Sequence, residues 1–74
     1  MNTLNEAMQF ALDNADSYGG VLDVDLHYDT GMRMWFLECR SHRFVDVGGS
    51  ISVNISHEVA CALPLELAKE DGRA

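Results

Sequence analysis

No lysine or arginine precedes Arg33 in this 74-residue chain. Residues 1–32 hold six acids (Glu6, Asp13, Asp16, Asp23, Asp25 and Asp29), whereas residues 33–74 hold the other six acids and all five basic residues. The formal net charge is −7, and −6 of it belongs to the first part. An anionic surface without internal counter-charge repels nucleic acid and lipid headgroups and attracts basic protein surfaces. Other absences narrow the field further. No stretch approaches the roughly 18 apolar residues that would suggest a membrane span. The opening residues carry no positive region, and Asp13 and Asp16 interrupt the apolar pattern a secretory signal would need, so a cytoplasmic chain is expected. Cys39 and Cys61 lie far apart, and with no secretion signal they are expected as reduced, partly buried thiols. Gly48-Gly49 lacks the lysine and following helix of a phosphate-binding loop.

What remains is enough for one small domain spanning residues 1–74. Apolar residues make up 47% of the chain, which argues against disorder despite the charge. Thr3-Leu4-Asn5-Glu6 fits a capping box, with the Thr3 hydroxyl accepting from the Glu6 N–H and the Glu6 carboxylate reaching back to the Thr3 N–H. Leu4, Ala7, Met8, Ala11, Leu12 and Ala15 then follow a 3.6-residue period, predicting an amphipathic helix over about residues 4–17 that ends at Gly19-Gly20. Asp13 and Asp16 fall at its negative end, where acids are disfavoured.

Residues 21–28 alternate strictly, with Leu22, Val24, Leu26 and Tyr28 on one side and Asp23, Asp25 and His27 on the other, as in a strand with one buried face. Asp29-Thr30-Gly31 reads as a three-residue hairpin loop with Gly31 in the left-handed conformation. Pairing Tyr28 with Met32 then places Leu26 opposite Met34 and Val24 opposite Phe36, and leaves Asp23, Asp25, His27, Arg33, Trp35 and Leu37 on the outer face. Residues 42–47 read as a third strand and Gly48-Gly49 as a turn. Residues 50–55 fit a fourth strand by alternation and β-branching, but Ile51, Ile55, Val59 and Ala62 also fit a helical spacing. From Ser56 a helical stripe of Val59, Ala60, Leu63, Leu67 and Ala68 follows; Pro64 either divides or kinks it, and Gly72 closes it. The expected class is α+β: an antiparallel three- or four-stranded sheet flanked by an N-terminal and a C-terminal helix.

Motifs for catalysis or metal binding are poor. Asp23-x-Asp25-x-His27-x-Asp29 has Tyr28 where a calcium loop needs glycine and Met34 where it needs glutamate. Same-face neighbours on a strand are ~6.6–6.8 Å apart, too wide to converge on one ion. His57-Glu58-Val59-Ala60-Cys61 is a near-match to a zinc-protease helix, but no third ligand is evident. Neither an enzyme activity nor a cofactor or metal is expected. The acidic strand is read either as a solvated face or as a polyanion, since ~6.8 Å also matches two nucleotide steps along a DNA strand. Trp35 is read either as an interface anchor beside Asp25 or as core beneath the C-terminal helix. Arg33, Arg40 and Arg43 are expected to pair with Glu38 and Asp46 on neighbouring strands.

In length, single α/β domain, acidity and lack of enzyme motifs, the chain resembles the small phage anti-CRISPR proteins that act on type I surveillance complexes, type I-C among them. Asp13, Asp16, Asp23, Asp25 and Asp29 carry the resemblance. It implies a non-enzymatic inhibitor in the host bacterial cytoplasm, a monomer or small homo-oligomer, whose DNA-mimicking surface occupies the basic DNA-binding site of the complex without itself binding nucleic acid or membrane. Those five aspartates with Trp35 form the expected partner-binding set. The alternative is an acidic immunity or antitoxin protein that neutralises a basic toxin or nuclease.

Overall fold

The computed structural model describes residues 2–70, with side chains for residues 2–64. Its class is the expected α+β: a helix at each end and antiparallel strands between them. Helix α1 spans Leu4–Asn14. The Thr3 hydroxyl accepts from the Glu6 N–H at 3.2 Å and donates to the Glu6 carboxylate at 2.8 Å, so Glu6 closes the cap through the hydroxyl rather than the Thr3 amide. The helix ends earlier than its periodicity predicts, because Ala15 is extended and the Asp16 N–H bonds the Arg40 carbonyl at 2.9 Å. Gly19 and Gly20 instead form the two-residue turn between β1 (Ser17–Tyr18) and β2 (Val21–Leu22). Their φ values of 62° and 85° are the double left-handed geometry that suits a tight hairpin.

The long acidic strand is therefore broken at Asp23, and β3 covers Val24–Asp29. It pairs with β4 (Met34–Arg40), which pairs with β5 (Ser50–Ile55), giving a three-stranded antiparallel sheet in the order β3-β4-β5. Residues 50–55 are thus strand rather than helix. Residues 42–47, expected as a strand, form a 3-10 segment, His42–Val47. The Ser41 hydroxyl accepts from the Arg43 N–H and Gly48 closes the segment in a left-handed conformation, so local caps outcompete the weak alternation there. Helix α2 (His57–Glu70) runs through Pro64 as a single helix, started by the Ser56 hydroxyl accepting from the Val59 N–H. Gly72, expected to close it, and the Leu67 and Ala68 side chains lie outside the described residues.

The expected register is overturned. Tyr28 pairs with Trp35, Leu26 with Leu37 and Val24 with Cys39, three residues from the predicted alignment. An odd shift exchanges the two faces of β4. Leu37 and Cys39 enter the core with Ile55, while Met34 and Phe36 move to the opposite side. The loop is longer than predicted, Thr30 to Arg33, and its left-handed residue is Arg33 (φ 56°) rather than Gly31. The Asp29 carboxylate accepts from the Met32 N–H at 3.0 Å and sets this wider turn.

Ala7, Met8 and Ala11 of α1 and Val59, Ala60 and Leu63 of α2 pack on Leu37, Cys39 and Ile55. Alanines at the contact let the two helices lie side by side on one face of the sheet. The result is a slab of 34 × 33 × 17 Å, one sheet and one helix layer thick. Leu12, expected in the buried stripe, stands exposed.

Candidate functional site

Three carboxylates meet on Arg40 where β3 and β4 come together, and a fourth lies beside them after α1. The Arg40 Nε lies 3.0 Å from Asp23, and its Nη1 lies 2.8 Å from Glu38 and 3.6 Å from Asp25. The Ser50 hydroxyl donates to the other Glu38 oxygen at 3.1 Å. Backbone bonds fix this geometry: the Arg40 N–H donates to the Asp23 carbonyl, and the Asp23 N–H to the Asp16 carbonyl. The bond to Asp23, followed by the fields of Asp23, Asp25 and Glu38, raises the Arg40 pKa above its ordinary value.

Asp16 is the fourth. One oxygen accepts from the Ser41 hydroxyl at 3.0 Å, and the other accepts from the His42 N–H at 3.0 Å and lies 2.8 Å from the His42 ring nitrogen Nδ1. The His42 backbone N–H first, then the His42 ring, hold its carboxyl far below the usual carboxylate range. Tyr18 donates to the same carboxylate at 3.4 Å, and its phenol is harder to ionise chiefly because of the Asp16 charge, with Asp23 adding to it. A folded pKa below the unfolded one means that this contribution to stability is complete above about pH 4 and is lost as the pH falls below it. Asp16→Asn should flatten that acid limb and lower the melting temperature by several degrees at neutral pH. Thermal melts across the acid range measure it, and an unchanged acid limb would deny Asp16 the role.

Asp13 borders this cluster through its backbone: Arg43 donates to its carbonyl at 2.7 Å, supplying the cation that the last turn of α1 lacks. Its carboxylate accepts from Gln9 at 2.8 Å. Asp29 stands apart at the far end of β3. Trp35, expected in one reading beside Asp25 on the outer face, instead sits on the helix side. It is half-buried against the core, packs edge-on to Tyr28 and donates from Nε1 to His57 Nδ1 at 3.2 Å. The predicted set is thus divided. Asp16, Asp23 and Asp25 are together with Asp13 adjoining, whereas Asp29 and Trp35 are elsewhere. The polyanion spacing fails for Asp23 and Asp25, whose carboxylates converge on one guanidinium. Glu38 belongs to the cluster and was missed as a member of it. It was expected to pair with an arginine across strands, but its arginine is two residues along the same strand.

Among the described residues, no group of three or more His, Cys, Asp or Glu side chains is placed to hold a metal ion. The near-match on α2 brings His57 Nε2 to 3.6 Å from Cys61 Sγ. With the Trp35 N–H occupying Nδ1, the neutral ring carries its proton on Nε2 and points it at the sulfur, which is a donor arrangement rather than a base for the thiol. Cys39 and Cys61 are free thiols, and burial pushes the Cys39 pKa up to about 11. Among the described residues no helix is long and apolar enough to cross a membrane. The fold and site define a two-layer α+β domain with an acidic end. No family model, no curated protein and no solved structure matches the chain.

Proposed function

We propose that this protein is a non-enzymatic inhibitor that binds the basic, nucleic-acid-binding surface of a type I CRISPR surveillance complex and excludes DNA from it. One observation carries the reading: Asp23, Asp25 and Glu38 share the single guanidinium of Arg40, and Asp16 beside them is held by Ser41 and His42. The cluster stays anionic after internal pairing, and its charges are already ordered. Ordering before binding removes a cost that flexible acids on a solvated surface would meet on docking. A target channel lined with lysine and arginine holds DNA mainly through phosphate contacts, so a folded anion competes there without base pairing. Charge would set a fast association rate, and packed contacts would set the residence time. On this reading the protein acts in the bacterial cytoplasm as a monomer or small homo-oligomer.

The test is competition. Purified protein should displace target duplex from a type I surveillance complex, and its association should weaken about tenfold or more between about 50 and 200 mM salt. Retention of duplex at saturating protein, or association indifferent to salt, would reject the reading. Capture of a single-chain nuclease or toxin in place of the complex would move the protein to the immunity class.

A further inference from the structure

The sheet face that carries no helix has its own chemistry. The register lays it out in rows: Asp25, Glu38 and Ser52 in one, His27, Phe36 and Asn54 in the next, Asp29 and Met34 in the third. Rows on one face are ~6.6–6.8 Å apart. In the middle row the His27 and Phe36 rings stack, with centroids 5.8 Å apart and planes 22° from parallel. Phe36 takes no part in the core, and Met34 beside it is 41% exposed. The exposed His27 ring thus stacks on a part-buried Phe36, with an aspartate one row away on either side along β3. Beyond Asp25 the same face already holds one guanidinium, that of Arg40, among Asp23, Asp25 and Glu38.

A guanidinium is the cation this pattern suits. It is planar and weakly hydrated, stacks on aromatic rings and pairs with carboxylates along its edge. An ammonium group is compact and strongly hydrated, and gains less from the ring. We propose that the open sheet face docks an arginine-bearing basic segment of a protein partner, with the guanidinium on Phe36 beside His27 and its edge toward Asp25 or Asp29. This rests on the inhibitor reading above and names the contact surface. Charge complementarity selects the occupant: a second copy of the chain would bring Asp25, Asp29 and Glu38 against their own kind, and a nucleic acid would meet the same acids with its phosphates.

Isotope-labelled protein titrated with octa-arginine, and in parallel with octa-lysine, tests the proposal through amide shifts. The shifts should gather at residues 25–29 and 34–38, with the arginine peptide bound about threefold or more tighter. Phe36→Leu should weaken octa-arginine binding about fivefold and abolish the preference over lysine. Asp29→Asn keeps an oxygen for the Met32 N–H and should weaken both peptides about twofold, which keeps the test open if Phe36→Leu does not fold. Unchanged binding by these variants, equal binding of the two peptides, or shifts confined to Asp13, Asp16 and Tyr18 would overturn this docking face and leave the inhibitor reading standing. No binding of either peptide at low salt would remove both.

Discussion

Replacing Leu37 by alanine should cost the domain a large part of its stability. Leu37 is fully buried at the centre of the middle strand, among residues from both helices. Leu→Ala at such sites costs about 2–5 kcal/mol, because the packing cannot close around the lost atoms. A 74-residue domain has about 4–11 kcal/mol in total at typical values per residue. The expected fall in melting temperature is roughly 10–30 °C, which a thermal melt followed by circular dichroism will read. A fall under about 5 °C would show that the core is centred elsewhere.

The second large effect concerns binding. Asp25 is the most open member of the acid cluster, with 63% of its side chain exposed and its guanidinium contact the longest at 3.6 Å. Asp25→Lys changes the cluster by two charges while disturbing little that holds the fold, so stability should move by no more than about 0.5 kcal/mol. Affinity for a basic partner should fall about tenfold to a hundredfold at low salt, since close charge pairs across interfaces are worth upward of about 1.5 kcal/mol. Glu58→Lys on α2 makes the same change in net charge on the other side of the sheet, so its effect should be several-fold smaller. Binding assays with the two variants side by side separate a localised site from a general charge effect. Equal losses would mean that the partner senses only net charge.

Particular residues explain why the class could be read from sequence and the register could not. Thr3 and Glu6 announce the start of α1, and the Ile51-Val53-Ile55 alternation announces β5. Strand β4 is apolar on both faces: Met34 and Phe36 on one, Trp35, Leu37 and Cys39 on the other. Hydrophobic alternation therefore had no means of choosing between them, and the decision passed to the turn. There the Asp-Thr-Gly signal gave way to a wider loop fixed by the Asp29 carboxylate. The same limit applies to the acid cluster. Its charges are plain in the sequence, but Arg40 reaching Asp23 and Asp25 depends on pairing across strands. Ser41 and His42 reaching Asp16 depends on a segment whose alternation suggested a strand.

Among the described residues, strand β3 has one neighbour in its sheet, so its outer margin presents a line of amide and carbonyl groups without a ladder partner there. Such a margin is a template on which further copies could stack into a fibre. Asp25 and Asp29 stand along it, and a copy approaching margin to margin would set like charges against each other. On that approach Asp25 and Asp29 oppose self-pairing through β3, a second role for acids on a face proposed for a cationic partner.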